Sequence, residues 1–450
     1  MTRWLAEYAW LPDHAEPTPD VLIETDGGRI TGVTPLTAGS HPPAGVEVLG
    51  DAVRLPGLTL PGLANAHSHA FHRALRGRTH AGRGDFWSWR DQMYAVAARL
   101  DPDSYLALAR AAYAEMALAG ITCVGEFHYL HHGPDGTPYD DPNTMGAALV
   151  EAAAHAGVRL TLLDTAYLTS TVDGEPLVGP QRRFGDGDAL RWAERVDAMP
   201  SENAHARHGA AIHSVRAVPA EQLATVAGWA DRRGVPLHVH LSEQPAENDA
   251  CRSVHGRTPT GLLADHGVLG PHTTAVHTTH PTGGDLTLLG DHRTGVCLCP
   301  TTERDLADGI GPVRRMADVG IPLSLGSDSH AVVDLFEEAR AVELDERLRT
   351  RKRGHFGAVE LLTAATVNGH AALGWGDAGR LSVGDRADLV TVRLDSARTA
   401  GVPPVGVFFA ATAADVAHVV VDGRVVVRDG RHVDVDVPTE LRDAIAAVTT

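Results

Sequence analysis

Two histidines separated by a single residue, His67 and His69, stand at the end of an apolar segment that covers residues 58–66. Successive side chains of a β-strand point to opposite faces, so residues two apart share a face. We therefore expect both imidazoles to point the same way and to bind one metal ion. The chemistry then depends on which other side chains reach that ion.

Three further candidate residues end later apolar segments of the chain: His240, His277 and Asp328. Together with His67 and His69, two of them form a plausible ligand set, in which His240 supplies a third imidazole and Asp328 a carboxylate. Such a set suits zinc or iron(II) and leaves a coordination position for water. The sequence thus predicts one divalent metal ion, with zinc as the default.

Proton transfer would need groups beside that ion, because a metal-bound water becomes a nucleophile when it loses a proton. Glu243 follows His240 by three residues and could act as a proton shuttle. His277 could orient or deprotonate the water, and Asp328 could serve as both ligand and base. These three residues are the predicted catalytic groups.

The chain contains 26 histidines, and most of them must be ordinary core or surface groups. A metal site is therefore indicated only because several candidate ligands occur at strand ends together. A lone His-x-His pair is weak, whereas several ligands at successive strand ends are much stronger. Cys297 and Cys299 could also be ligands, but they lie within an apolar strand pattern, which favours buried thiols. The histidines interpreted as ordinary are His131, His132, His205, His208, His238 and His272.

The elements that must position these residues alternate along the middle of the chain. Short apolar runs are separated by helix-length amphipathic stretches, a pattern that predicts a (β/α)₈ TIM-like barrel of the α/β class. Glycines that follow four of the helices fit C-terminal caps: Gly120, Gly157, Gly234 and Gly320. The predicted strands cover residues 58–66, 121–127, 158–166, 209–214, 236–241, 274–278, 295–299 and 322–327. The helices quoted between them cover residues 104–119, 144–156, 221–233 and 313–319.

Both ends of the chain contain short strands and turns instead. Residues 417–421 and 424–427 are β-rich and flank Asp422-Gly423, which is a strong hairpin signal. We expect residues 1–57 and 376–450 to pair as one small β-sandwich beside a barrel formed by residues 58–375. Active-site residues in such barrels lie at the C-terminal ends of the strands.

Composition and net charge exclude some classes of function. The 450-residue chain has a formal charge of −18 and 43% hydrophobic residues, so it favours neither nucleic acid nor an anionic membrane as a partner. We find no transmembrane or signal-peptide pattern in it. Four cysteines in so long a chain do not form a disulfide framework, which favours a cytoplasmic location.

The segment 61–69, with its two histidines, resembles the first-strand signature of the amidohydrolase superfamily. The segment 379–390 resembles the return of that family's chain to its β-sandwich. Binuclear members carry a carbamylated lysine on the fourth strand, whereas the single lysine here, Lys352, comes after strand eight. The resemblance is therefore to the mononuclear deaminases, which have a His-x-x-Glu on strand five.

Within the superfamily, the chain most resembles the formimidoylglutamate deiminases. The resemblance implies hydrolytic deimination of N-formimidoyl-L-glutamate to N-formyl-L-glutamate and ammonia, a step of histidine degradation. The segments that carry it are 86–90, 126–132, 213–218, 298–310, 326–330 and 348–353.

Such a substrate is a dianionic small molecule, and arginine suits carboxylates because its planar fork donates two parallel hydrogen bonds. The resemblance implies that Arg90, Tyr129, His213 and Arg216 hold these carboxylates. His72 stands where the family usually has glutamine, and it too is predicted to bind substrate. It can still donate a hydrogen bond, but its length and charge differ, so it could shift the preferred acid.

Two other functions stay open at this point. One is a metal-dependent deaminase of another amidine or of a guanine-type heterocycle. The other is a non-catalytic scaffold that has lost its metal, which the full set of ligand and proton-transfer residues argues against. A homodimer is expected by analogy with the superfamily alone.

Overall fold

The computed structural model describes residues 1–36, 52–79, 86–199 and 203–449, without the side chains of residues 86–88. The strands are β1 (Thr2–Ala9), β2 (Thr18–Asp26), β3 (Arg29–Pro35), β4 (Val53–Pro61), β5 (Leu63–Ser68), β6 (Ile121–His128), β7 (Arg159–Ala166), β8 (Ala206–Ile212), β9 (Leu237–Leu241), β10 (Thr273–His277), β11 (Gly295–Leu298), β12 (Leu323–Leu325), β13 (Leu389–Val392), β14 (Val416–Val421), β15 (Arg424–Arg428) and β16 (Arg431–His432). The α-helices are α1 (Phe86–Arg99), α2 (Pro102–Leu118), α3 (Thr144–Ala156), α4 (Ala189–Asp197), α5 (Ala220–Arg233), α6 (Pro245–His255), α7 (Pro259–Asp265), α8 (Gly283–Asp291), α9 (Pro300–Asp305), α10 (Val313–Asp318), α11 (Leu335–Thr350), α12 (Ala358–Thr363), α13 (Gly369–Ala372) and α14 (Val437–Thr449).

Strands β5 to β12 form an all-parallel sheet in chain order, and its two edges meet. Ser68 at the end of β5 forms a parallel bridge with Asp328, just beyond β12. The His69 amide donates to the Asp328 carbonyl at 3.2 Å, and the Asp328 amide donates to the His67 carbonyl at 3.0 Å. The chain is therefore an α/β protein with the predicted eight-stranded barrel, and the strand ends that carry His67, His69 and Asp328 meet at its seam.

The first predicted strand is wrong in its extent, because residues 58–66 belong to two strands. β4 ends at Pro61 in a different sheet, and the barrel strand β5 begins at Leu63. Between them, a Cβ on Gly62 would lie 2.3 Å from Thr122 Oγ1 and 2.7 Å from the Asp388 Cβ. The chain passes from one sheet to the other through a gap that only glycine fits. The other seven predicted strands are confirmed, with ends shifted by up to three residues.

The quoted helices are confirmed as α2, α3, α5 and α10. Each is followed by the glycine that the sequence suggested, and each glycine adopts the left-handed conformation that ends a helix. The φ angles are 88° at Gly120, 71° at Gly157, 63° at Gly234 and 80° at Gly320.

The second sheet combines both ends of the chain in the order β16-β15-β14-β13-β4-β1-β2-β3. Trp4 and Ile23 near the start share one buried cluster with Leu389 and Val420 near the end, so the sheet folds over a core of its own. This is the expected small β-sandwich. Its hairpin turns at Asp422 and Gly423, with φ of 48° and 77°. The domain limits of 1–57, 58–375 and 376–450 stay a prediction, and the first of them falls inside β4.

A buried ion pair joins the two units. Arg159 at the start of β7 donates through Nη1 to Asp388 Oδ1 at 2.9 Å and through Nη2 to Oδ2. Asp388 Oδ1 also accepts from the backbone amide of Asp422 at 3.0 Å. One carboxylate thus holds a barrel strand and the sandwich hairpin together.

Two other expectations can be compared with the fold. None of the helices in the described ranges is long and apolar enough to cross a membrane. Cys297 and Cys299 are buried and pack with Ala66 and Val276, as expected of strand thiols.

Candidate active site

Side chains from four strand ends converge at the barrel seam. Nε2 of His67 lies 3.3 Å from Asp328 Oδ1, and Nε2 of His69 lies 3.4 Å from the same oxygen. Nε2 of His240 is 3.1 Å from Nε2 of His67. His277 belongs to the same group, since one ligand atom each from His67, His240, His277 and Asp328 lies within 4.8 Å of the others. All five side chains are buried.

Hydrogen bonds on the far side of the rings fix how two of these imidazoles face the centre. His69 donates through Nδ1 to the Phe127 carbonyl at 3.0 Å, and His240 donates through Nδ1 to the His213 carbonyl at 2.9 Å. A carbonyl only accepts, so the proton of each neutral ring is on Nδ1 and the Nε2 lone pair points inward.

This donor set fits a divalent cation. Burial lowers the pKa of His67, His69 and His240, which keeps their rings neutral, the form that binds metal. The lone pair of His240 Nε2 faces His67 Nε2 at 3.1 Å and the Asp328 carboxylate lies beside them, an arrangement that a shared cation would stabilise. The residues that could hold the ion are His67, His69, His240 and Asp328.

The backbone is strained where these side chains converge. Ser242, His277, Thr278 and Asp328, at the ends of β9, β10 and β12, have φ of 49°, 67°, 54° and 42°. Non-glycine residues in this left-handed region cost about 1–3 kcal/mol each and persist only where the surroundings hold them. The strain therefore coincides with the candidate site.

His277 lies between carboxylates. Its Nε2 is 3.8 Å from Glu243 Oε1 and 3.7 Å from Asp328 Oδ2, and its Nδ1 is 3.4 Å from Glu303 Oε1. Burial alone would lower the pKa of His277, but Glu243, Glu303 and Asp328 together raise it well above its ordinary value. The Cys299 amide also donates to Glu303 Oε1, at 2.9 Å, and fixes that carboxylate. The sequence assigned no role to Glu303, although it lies in a segment that carried the resemblance.

Glu243 is held by a second acid that sequence reasoning missed. Glu247, in the first turn of α6, accepts hydrogen bonds from the amides of Ser242 at 3.2 Å and Glu243 at 3.3 Å. Its carboxylate thereby stabilises the strained turn that carries the predicted proton shuttle. Burial raises the pKa of Glu243, against the opposing effect of His277. Burial also raises the pKa of Glu247 to about 7.

A buried network lies behind the His67–His69 pair. Ser68 donates to Glu126 Oε2 at 3.0 Å, and the Ala70 amide donates to Glu126 Oε1 at 2.7 Å. Nε2 of His330 is 2.9 Å from the Ser68 hydroxyl. Burial raises the pKa of Glu126 to about 8. The network supports the backbone between and after the two histidines.

An open cleft of about 600 Å³ leads to the ligand cluster. All five predicted substrate-binding residues line it, together with aromatic and apolar side chains that the sequence did not single out. Its lining consists of His69, His72, Trp89, Arg90, Met93, Tyr94, Tyr129, Tyr167, Phe184, His213, Arg216, His240, Glu243, His277, Leu306 and Asp328. Phe86, Trp87 and Ser88, which also carried the resemblance, lie outside the described side chains.

Charge is unevenly distributed in this cleft. Glu243, Glu303 and Asp328 surround His277 at the ligand cluster. Arg216 lies along a wall of tyrosines, where Nη1 donates to the Tyr167 hydroxyl at 3.0 Å. Arg90 belongs to the same wall, with its guanidinium carbon 5.6 Å from the centre of the Tyr94 ring. The acids are therefore grouped around the ligands, and the two arginines share the aromatic wall.

His72 lies between these two groups. Its ring centre is 4.5 Å from that of His69 and 5.2 Å from that of Trp89. Its Nε2 is 2.9 Å from the Tyr129 hydroxyl. His213 packs on the same wall, with its ring centre 4.4 Å from that of Tyr167.

A second group of potential metal ligands already has its charge balanced by a neighbouring arginine. His128, His131 and Asp164 each offer an atom within 4.8 Å of the others. However, Arg195 donates to both Asp164 oxygens, at 2.9 and 2.7 Å, so a guanidinium already supplies the positive charge. His131 donates through Nε2 to the Thr165 carbonyl at 2.9 Å, as an ordinary buried histidine does.

Comparison with known proteins gives consistent similarities. The model of the "Amidohydrolase family" matches residues 58–426. The chain is 36% identical over 448 residues to formimidoylglutamate deiminase of Pseudomonas aeruginosa, covering 96% of each chain. It is 31% identical to the 5-methylthioadenosine/S-adenosylhomocysteine deaminase of Halobacterium salinarum, covering 93% of this chain and 90% of the relative. A crystal structure of an amidohydrolase from Brucella melitensis superposes with a TM-score of 0.88 and 31% identity over the whole of both chains.

Proposed function

Because this chain belongs to the amidohydrolase family, whose members bind a metal, we propose that it hydrolyses N-formimidoyl-L-glutamate to N-formyl-L-glutamate and ammonia. Hydrolytic deaminase chemistry is the broader activity that its relatives share. The proposal adds the substrate, the residues and their roles.

The charge distribution of the cleft carries the choice of substrate. Formimidoylglutamate has a basic amidine at one end and two carboxylates at the other. Glu243, which lines the cleft and lies outside the ligand set, suits the amidine. Arg90 and Arg216 on the aromatic wall suit the carboxylates, since guanidinium binds carboxylate in a bidentate fashion. An uncharged heterocycle would need no such pair of arginines.

The residues of the site divide the reaction between them. A divalent ion held by His67, His69, His240 and Asp328 would supply a nucleophile by lowering the pKa of water. Asp328 accepts the proton that the nucleophilic water loses, and His277, whose pKa the surrounding acids raise, orients that water as a hydrogen-bond donor.

Glu243 delivers a proton to the imine nitrogen, which makes the amidine carbon more electrophilic. Its raised pKa suits a group that must carry a proton near neutral pH. After addition of water, the departing nitrogen takes the proton that Asp328 accepted, the carbon–nitrogen bond breaks as ammonia leaves, and the hydroxyl proton returns to Glu243. Arg90, Tyr129, His213 and Arg216 hold the carboxylates meanwhile and place the amidine carbon.

An ammonia-release assay tests the proposal directly. The purified protein should release ammonia from N-formimidoyl-L-glutamate, lose that activity in chelator and regain it with zinc. Metal analysis should find about one divalent ion per chain, with zinc expected. A protein that contains no metal and releases no ammonia would instead be a scaffold.

A heterocycle deaminase is the second candidate, and the similarity to the Halobacterium salinarum deaminase favours it. The same assay should therefore include guanine, S-adenosylhomocysteine and 5-methylthioadenosine. Release of ammonia from one of these, and not from formimidoylglutamate, would contradict the proposed substrate while leaving the hydrolytic chemistry intact.

A further inference from the structure

We infer that His72 acts on the substrate through Tyr129: the imidazole donates a hydrogen bond to the tyrosine oxygen and thereby directs the tyrosine proton toward a substrate carboxylate. The inference rests on the proposed function for the presence of that carboxylate. It replaces direct contact between His72 and substrate, which the sequence suggested, with a positioning role.

The two ring nitrogens of His72 have different surroundings. Nε2 is 2.9 Å from the Tyr129 hydroxyl. Nδ1 is buried and has no hydrogen-bond partner among the described residues. Because Nδ1 is sealed from solvent and Nε2 is engaged, neither nitrogen is available to a ligand that enters the cleft.

The direction of the hydrogen bond follows from this difference. A neutral imidazole has one N–H, and a buried N–H without an acceptor is unfavourable. A proton on Nδ1 would have no acceptor in the part of the chain that the structure describes, whereas a proton on Nε2 points at the Tyr129 oxygen. The ring is also held in place between His69 and Trp89, at 4.5 and 5.2 Å between ring centres, which fixes the direction of the donor.

Tyr129 must then direct its own proton elsewhere. Its other neighbour is the thioether sulfur of Met93, at 3.8 Å, and a thioether is a weak acceptor. Tyr129 lines the same cleft as Arg90 and Arg216. A carboxylate bound by these arginines offers Tyr129 the strong acceptor that it lacks.

The test is a double-mutant cycle on the zinc-loaded enzyme, with glutarate as the probe because it is a dicarboxylate without an amidine. Affinity is measured by calorimetry for wild type, His72→Phe, Tyr129→Phe and the double variant. We expect each single change to weaken glutarate binding about tenfold. In the Tyr129→Phe background, His72→Phe should add less than about twofold.

Kinetics and a rescue variant give independent readouts. His72→Phe should raise KM for formimidoylglutamate about tenfold and change kcat by less than about threefold. His72→Gln, which retains a donor, should recover most of the affinity. A merely structural loss would not be rescued in this way, and circular dichroism monitors the fold of each variant.

Several results would overturn the inference. Additive losses in the cycle would mean that His72 contacts the ligand independently. Loss of zinc in both His72 variants would indicate that His72 is a metal ligand, since this residue lies near His69 and Asp328. Unchanged affinity in His72→Phe, or no glutarate binding by the wild type, would also contradict it. If His72 and Tyr129 are coupled in glutarate binding but formimidoylglutamate releases no ammonia, the proposed function is wrong and the positioning role of His72 is kept.

Discussion

At the scale of single residues, the role of Glu243 as proton shuttle can be tested most directly. Glu243→Gln keeps the shape of the side chain but removes its proton, so kcat should fall by about 10²–10⁴-fold. Metal content should stay at the wild-type value, because Glu243 is outside the ligand set. Glu221→Gln, on the exposed face of α5, is the matched control and should leave both kcat and metal content at their wild-type values. Near-wild-type turnover in Glu243→Gln would contradict the assigned role.

The arginines of the aromatic wall should act on binding and not on chemistry. Arg216→Met removes a half-buried guanidinium that suits a carboxylate, so KM should rise about 10- to 100-fold with a smaller change in kcat. Arg216→Lys should recover little, since an ammonium cannot donate in bidentate geometry. Steady-state kinetics of both variants check this, and a fall in kcat at unchanged KM would argue against a carboxylate contact.

The five residues that converge at one end of the barrel could be predicted from sequence, whereas the acids that contact them and their turns could not. His67, His69, His240, His277 and Asp328 follow apolar runs, and parallel strands bring such positions together at one end of a barrel. Glu303 and Glu247 have no such pattern. Each acts through a hydrogen bond to a neighbouring ring or to turn amides, and these contacts depend on loop conformations that periodicity does not encode.

At the scale of elements, the buried Glu126 ties β5 to β6 behind the ligands and should make stability depend on pH. Its pKa is about 8 in the fold and near 4.5 in the unfolded chain. The folded state therefore holds a proton that the unfolded state has lost between these values, and stability falls as pH rises through this window. The limiting slope for one group is about 1.4 kcal/mol per pH unit.

Glu126→Gln tests this because it cannot titrate. Denaturant unfolding of the zinc-loaded protein between pH 5.5 and 8.5 should show a smaller loss of stability with rising pH than the wild type shows. Identical slopes for the two proteins would mean that Glu126 is ionised in the fold, paired more strongly than its burial suggests.

The predicted elements failed at one place, and the cause is physical. Residues 58–66 read as one strand because apolar residues continue across Gly62 without a change of pattern. The break is imposed by neighbours distant in sequence, Thr122 and Asp388, which leave no room for a side chain there. Local propensity cannot reveal a transfer between sheets that long-range packing determines.

At the scale of the whole molecule, the pair of Arg159 and Asp388 joins barrel and sandwich through buried charges. Asp388→Asn leaves the buried Arg159 guanidinium with only the partly exposed Asp422 carboxylate, 3.2 Å from Nη1, as its counterion. It should lower the free energy of unfolding by about 1–3 kcal/mol. Arg159→Met combined with Asp388→Leu removes both charges and should be less destabilising than the single change. Chemical denaturation of the wild type and these two variants measures this, and an equal loss of stability in both variants would contradict the prediction.

Metal removal should also be visible in the whole fold. A ligand that binds only the native state stabilises it by mass action, so chelation should lower Tm and zinc should restore it. The shift should be much smaller in His67→Ala, which lacks a central ligand. Equal melting temperatures with and without chelator in the wild type would argue against a resident ion.

The grouping of acids at one part of the cleft and arginines at another has a consequence for turnover. Deimination converts a basic amidine into an uncharged formamide while both carboxylates remain. The product therefore offers Glu243 no basic nitrogen, while its two carboxylates still face Arg90 and Arg216. Affinity is lost at the reacting end alone, so the rate of product release should depend on how fast the carboxylates dissociate from the two arginines.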